Sequence, residues 1–225
     1  MIRQDYILEW IKRYVRWLAE IMGLVKAQDY EAAIRRIDLA LRTLLEVGPD
    51  SVTNLAEGEI LARLTMGELG PPVEDKCMVL AALLKQLGLV SAAQQRLDLS
   101  RDCFVKALHL VLGLKLSAEG TDLAEFVPTV EELVEALQSD DLPPRTHGAL
   151  MLYYEQAGEF AKAEDALFAL QDAAPGNADA VQAGIGFYER LLALSDATLT
   201  AGDLPRPEVE AGLAQIRKMG SGEVK

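Results

Sequence analysis

The feature that most constrains the fold is the stretch 144–177, in which apolar residues recur at helical spacing on both sides of a glycine. Gly158 separates the two apolar segments, and Pro175 ends the stretch because proline cannot continue a helix. Ala163 lies within the second segment, where a small side chain lets two helices approach closely. The residues that form the pattern are Leu150, Tyr154, Phe160, Ala163, Leu167 and Leu170. The stretch therefore predicts an antiparallel helical hairpin over residues 144–175.

The length of this hairpin and its order of bulky and small residues match the tetratricopeptide repeat, a helix–turn–helix unit. Two other segments carry weaker copies of the pattern. They contain Tyr30, Ala33, Ile37 and Ala40 in one case, and Leu80, Leu84, Gly88, Phe104 and Ala107 in the other. The junction in the second copy is longer, so both of its helices are expected to be extended. The sequence thus predicts an all-α fold of tetratricopeptide-like antiparallel helical hairpins, of the α-α superhelix type.

Helical periodicity predicts about ten helices along the chain, and no useful segment alternates as a strand would. Asp29 is a candidate N-cap, and Thr129 with Glu132 has the spacing of a capping box. We expect a single helical-repeat domain over residues 1–219, followed by a flexible tail at 220–225. Its parts are the N-terminal helices (1–66), an extended hairpin (73–116), the clearest hairpin (144–175) and the C-terminal helices (178–219). Within these parts, separate helices are predicted at 52–66, 178–195 and 207–219.

Charge excludes one broad class of function. The formal net charge is −13, which repels phosphate backbones, so nucleic-acid binding is not expected. The distribution is uneven, because residues 1–45 carry eight Lys+Arg against six Asp+Glu while the rest of the chain is strongly acidic. The first residues carry charges that interrupt a signal-peptide core, and Cys77 and Cys103 fit no disulfide or zinc spacing. These features predict a cytoplasmic location with both thiols reduced and buried.

The N-terminal helix is the first candidate binding element. Trp10 and Trp17 belong to its apolar stripe, and Lys12, Arg13 and Arg16 adjoin them. Such a helix suits docking on the next hairpin or on a second subunit. It also suits an anionic membrane surface, although Glu9 and Glu20 interrupt the basic face and make membrane binding the less favoured alternative.

The second candidate is an aromatic and charged set in the C-terminal half. Its members are Tyr153, Tyr154 and Glu155 together with Phe187, Tyr188, Glu189 and Arg190. Aromatic rings beside a guanidinium could line a peptide-binding groove, with Tyr153, Tyr154, Tyr188 and Arg190 as the binding residues. The alternative is that the rings pack inside the hairpins and that the charged groups pair across helices.

Catalysis and metal binding receive little support. The carboxylates Glu155, Glu159, Glu164 and Asp165 are close in sequence, but acid–base chemistry requires burial that separates their pKa values. Solvated helix faces produce the same pattern. His109 and His147 lie in no metal-binding motif, and both are interpreted as structural or exposed histidines. No cofactor or metal is therefore predicted.

Three stretches carry a resemblance to a known family. They are Ile2-Arg3-Gln4-Asp5-Tyr6-Ile7, the block from Tyr153 to Asp165, and Gly186-Phe187-Tyr188-Glu189-Arg190-Leu191-Leu192. They resemble an uncharacterised bacterial domain-of-unknown-function family. The resemblance implies an all-helical, tetratricopeptide-like layout over essentially the full length, and it implies no activity or site.

Taken together, the residues predict a non-enzymatic protein–protein interaction or scaffold module. Its acidic body favours a protein or peptide partner of basic character, and self-association is compatible with this function. Two alternatives stay open. One is a peripheral membrane adaptor that uses residues 1–22, and the other is a small-molecule binder or enzyme with an unrecognised site among the C-terminal helices.

Overall fold

The computed structural model describes residues 2–66, 72–117, 123–137 and 142–220, with side chains from residue 9 to residue 219. Within these ranges the protein is all-helical, with twelve helices and no strand. The predicted all-α fold is confirmed. The helices are α1 (Ile2–Lys26), α2 (Tyr30–Leu45), α3 (Pro49–Val52), α4 (Glu57–Thr65), α5 (Val73–Ala93), α6 (Leu97–Lys115), α7 (Val130–Leu137), α8 (Pro144–Ala157), α9 (Phe160–Ala173), α10 (Ala178–Leu192), α11 (Asp196–Ala201) and α12 (Arg206–Gly220).

The predicted capping residues lie at the starts of α2 and α7. The Asp29 carboxylate accepts a hydrogen bond from the Ala32 amide at 3.1 Å at the start of α2. Before α7, the Thr129 hydroxyl accepts from the Glu132 amide at 3.1 Å, and the Glu132 carboxylate accepts from the Thr129 amide at 3.0 Å. All three amides lie at helix starts, where backbone donors lack helical partners.

Two helix boundaries differ from the predictions. The predicted helix at 52–66 corresponds to α4 and begins only at Glu57, and a separate short helix, α3, precedes it from Pro49, whose fixed φ suits the first helical position. The predicted helix at 178–195 ends at Leu192, and a separate α11 follows it. There the Ser195 hydroxyl accepts a hydrogen bond from the Thr198 amide at 3.2 Å, so Ser195 is the N-cap of a new helix. The predicted flexible tail at 220–225 lies outside the described residues apart from the backbone of Gly220.

The chain divides into two compact units, Met1–Gln138 and Ser139–Lys225. In the N-terminal unit, α5 lies at the centre and packs against α1, α2, α4 and α6. It is long and apolar enough to cross a membrane by length and composition alone, but 78% of that stretch is buried inside the protein. Burial on nearly all sides explains its apolar composition, since a helix buried all round has no polar face.

The C-terminal unit consists of two hairpins. Helices α8 and α9 form the first, and Gly158 joins them in the left-handed conformation with φ 77°. Helices α10 and α12 form the second, with α11 between them, and α10 also packs on α9. Gly184 of α10 lies where these helices cross, because a Cβ at this position would be 2.1 Å from Ile216 Cδ1 and 2.9 Å from Leu167 Cδ1. Only glycine allows this approach.

Candidate functional site

Tyr188, a predicted partner-binding residue, lies in the core of the C-terminal unit and is 1% exposed. Its hydroxyl donates a hydrogen bond to Glu164 Oε1 at 2.8 Å, and its ring covers Gly212, where a Cβ would be 2.4 Å from the ring. Burial raises the pKa of Tyr188, and the bond to Glu164 raises it further. Tyr188 of α10 therefore packs against both α9 and α12.

The other predicted C-terminal residues lie around α8. The Arg190 guanidinium donates to Glu155 Oε1 at 2.6 Å and to Glu155 Oε2 at 2.7 Å, so the pair links α10 to α8. This bond raises the pKa of Arg190. The Tyr153 and Tyr154 ring centroids are 5.2 Å apart, and Lys162 lies 5.4 Å from the Tyr154 ring centroid. Tyr154 is buried and Tyr153 is half-buried, whereas the Arg190 and Lys162 side chains are 52% and 55% exposed.

The predicted N-terminal residues belong to an aromatic cluster on α1. The Trp10 and Tyr14 ring centroids are 4.4 Å apart, and those of Tyr14 and Trp17 are 5.2 Å apart. Arg36 of α2 lies 5.3 Å from the Trp17 ring centroid and also donates to Glu20 at 2.6 Å. Helix α1 thus docks on α2, and both tryptophans are half-buried. Docking of this helix on a neighbouring hairpin is one of the arrangements that the sequence favoured over binding to a membrane surface.

A cavity of about 340 Å³ opens in the N-terminal unit between α4 and α6, both of which pack on α5. No sequence pattern predicted it. Residues at positions 106, 109, 110, 113, 114 and 117 line it, and this spacing places them on one face of α6 and its C-terminal extension. Gly113 lies at the centre of this face, and a Cβ built on it meets no atom within 4 Å. The missing side chain of Gly113 helps to leave the cavity open.

The walls of the cavity are mostly apolar. The apolar lining residues are Ile60, Leu61, Val73, Cys77, Leu110 and Leu114. Ile60 and Cys77 are buried, whereas Leu61 lies at the surface with 46% exposure. The cavity therefore extends from the core to an exposed apolar side chain, as small-molecule pockets do.

Three of the four charged residues that line the cavity hold α6 against the chain around α4, and the fourth, Glu74, is exposed. His109 Nδ1 is 2.7 Å from Glu57 Oε1, and it is the donor because a carboxylate can only accept. Lys106 Nζ donates to the Leu55 backbone carbonyl at 2.7 Å. Glu57 is partly exposed while the His109 side chain is nearly buried, so this pair forms one edge of the opening.

A model of the family of unknown function DUF6483 matches residues 1–221. The chain belongs to this family. No curated protein and no solved structure matches the chain significantly. The family resemblance expected from the sequence is thus confirmed. Because the function of the family is unknown, the match assigns no role to the cavity or to the C-terminal aromatic residues.

Other candidate residues of this DUF6483 member lie in ion pairs or in partly buried positions. Glu155 and Glu159 form ion pairs with Arg190 and Lys162. Burial lowers the pKa of His147 and so favours its neutral form. Among the described residues, no group of three or more His, Cys, Asp or Glu side chains could hold a metal ion.

Both cysteines are free and buried. Burial raises the pKa of Cys77 to about 11 and that of Cys103 to about 12. Both thiols are therefore protonated near neutral pH, which makes them poor nucleophiles. Cys77 lines the cavity, whereas Cys103 does not.

Proposed function

We propose that the chain is a non-enzymatic binding module of the cytoplasm whose C-terminal unit engages a protein or peptide of basic character. The observation that carries this proposal is an imbalance between engaged cations and unmatched carboxylates on that unit. Residues 139–225 contain seven Lys+Arg against 14 Asp+Glu. The ion pairs within the unit determine which of these charged side chains remain available to bind a partner.

Four cations of this unit are bound to its own carboxylates. Arg190 contacts Glu155 at 2.6 Å and Arg217 contacts Glu189 at 2.7 Å. Two further ion pairs join Lys162 to Glu159 and Arg206 to Asp196. An incoming acidic group would therefore have to displace an existing partner.

Several carboxylates remain exposed without an ion-pair partner among the described residues. They include Asp165, Asp172, Glu208 and Glu210. The unit thus presents unmatched negative charge to solvent. Such a surface favours partners with Lys or Arg and speeds their association at low salt.

A membrane adaptor that uses residues 1–22 has less support. Three residues of the apolar stripe of α1 are at most 2% exposed, namely Tyr14, Leu18 and Ile21. The stripe would have to leave the protein before it could enter a lipid surface.

The proposal is tested by selecting peptides from a random display library on the immobilised full-length protein. We expect the enriched peptides to carry net positive charge and their binding to weaken as salt rises, because ions screen exposed charges. The absence of enriched peptides, or enrichment of uncharged peptides that bind equally at high salt, would contradict the proposal.

Two charge variants then locate the surface. The first changes Asp165 and Asp172 to Asn and Glu208 and Glu210 to Gln. A matched control removes the same charge from exposed residues of the other unit, through Glu46→Gln, Asp98→Asn, Glu125→Gln and Glu135→Gln. We expect the selected peptide to bind the first variant about tenfold more weakly and the control about as well as wild type. Equal loss in both variants would show a general charge effect and no surface on the C-terminal unit.

A further inference from the structure

We propose that the cavity between α4, α5 and α6 is a binding site for a small, uncharged, predominantly apolar molecule. The site lies in the N-terminal unit, so ligand binding there can succeed or fail independently of peptide binding to the C-terminal unit. Three properties of the cavity define the ligand: its walls, its charged groups and its size.

The walls favour an apolar ligand body. The side chains of Ile60, Leu110 and Leu114 face the space together with the Cys77 thiol, which is protonated near neutral pH. Apolar surface that leaves water for such walls contributes roughly 25 cal/mol per Å². Leu61, at 46% exposure, offers further apolar contact at the surface.

The charged groups disfavour an anionic ligand. Glu57 and Glu74 both line the cavity. Its two basic side chains are engaged, because His109 Nδ1 lies 2.7 Å from Glu57 Oε1 and Lys106 donates to the Leu55 carbonyl. A ligand carboxylate would have to break one of these contacts or enter the cavity beside the two carboxylates without a partner. Burial of an unpaired charge is costly, so an uncharged molecule is favoured over an anionic one with the same skeleton.

The size of the cavity sets the ligand's dimensions. The cavity has a volume of about 340 Å³. It is roughly twice the ~150 Å³ of an engineered apolar cavity that binds benzene. A molecule with two or three aromatic rings, or an aliphatic molecule of comparable bulk, matches this space.

The probe is N-phenylnaphthylamine, an uncharged fluorophore whose emission rises in apolar surroundings. Anilinonaphthalene sulfonate has the same ring skeleton with one added sulfonate and serves as the charged comparison. We expect saturable binding of the uncharged probe to the full chain, with the sulfonate about tenfold weaker or more. No saturable binding of the uncharged probe, or equal binding of the sulfonate, would overturn the proposal.

In the Gly113→Leu variant, the added side chain occupies the cavity that Gly113 lines. The site is helical and has open space at the Cβ position, so we expect the variant to remain folded and to lose about tenfold or more in probe affinity. Gly23→Leu in α1 is the matched control, because a Cβ there also meets nothing within 4 Å and the residue does not line the cavity. Unchanged affinity in a folded Gly113→Leu protein would overturn the proposal.

A measurement on the wild-type chain keeps the test decisive even if Gly113→Leu does not fold. Amide chemical shifts of the wild-type chain report where the uncharged probe binds. We expect a saturating probe to shift amides near Ile60, Cys77 and Gly113, which line the cavity, more than amides of the C-terminal unit. Shifts confined to other residues would place the probe outside the cavity and refute the site.

Discussion

At the scale of single residues, Tyr188 connects three helices of the C-terminal unit. Its ring requires the space at Gly212 of α12, and its hydroxyl requires the Glu164 carboxylate of α9. Glu164 is in turn half-buried, and burial raises its pKa. Nearby Glu208 and Asp165 raise this pKa further, while the hydrogen bond from Tyr188 lowers it.

The pKa of Glu164 leads to a prediction about stability. Because this pKa is raised in the folded state, the native protein binds the proton more tightly than the unfolded chain does. The resulting stabilisation is complete below the unfolded pKa and is lost as pH rises through the folded pKa. Glu164→Gln keeps an acceptor for Tyr188 but cannot titrate. We therefore expect the free energy of unfolding of this variant, relative to wild type, to increase from about pH 4 to about pH 7.

Chemical denaturation at several pH values checks this expectation. Tyr188→Phe provides a comparison, since it removes the hydrogen bond that opposes the effect of burial on Glu164. It should lower stability by about 1 kcal/mol near neutral pH and steepen the pH dependence. Parallel pH profiles for wild type and Glu164→Gln would show that Glu164 has no raised pKa.

At the scale of helices, the crossing of α10 with α9 and α12 depends on Gly184. A Cβ at this position would overlap Ile216 and Leu167. We expect Gly184→Ala to lower the free energy of unfolding by about 1–3 kcal/mol, as overpacking does, despite the better helix propensity of alanine.

Gly148→Ala in α8 is the control for this substitution. The nearest atom to a Cβ at Gly148 is Leu170 Cδ2, at an ordinary contact distance of 3.9 Å. Thermal and denaturant unfolding should show this variant to be stabilised by up to about 1 kcal/mol. Equal effects of the two substitutions would mean that helix propensity alone, and not the crossing, determines the stability of this unit.

Helical periodicity and capping residues were sufficient to predict the long helices. The Asp29 and Thr129–Glu132 caps form as their spacing implies. The short helices α3 and α11 were missed because a few residues cannot show a helical period. The cavity was missed for another reason, since it joins α4, α5 and α6 residues that are distant in sequence. The available signal was Gly113, a residue without a side chain on the face of α6 that also carries Leu110 and Leu114.

At the scale of the whole molecule, the two units differ in what they offer to other molecules. The N-terminal unit contains a largely apolar cavity whose two basic lining side chains, Lys106 and His109, are engaged. The C-terminal unit presents unmatched carboxylates. Net charge predicted the acidic character of the chain, but only the ion pairs reveal which carboxylates remain available. The aromatic residues that the sequence singled out are buried or half-buried within each unit.

The most direct test of this account is an amide NMR titration of the full chain, first with N-phenylnaphthylamine and then with a selected basic peptide. We expect the uncharged probe to shift saturably the amides of residues 57–61, 73–77 and 106–117. The peptide should shift amides near Asp165, Asp172, Glu208 and Glu210. Absence of saturable shifts around Gly113 with the probe, or peptide shifts spread evenly over the chain, would contradict the account.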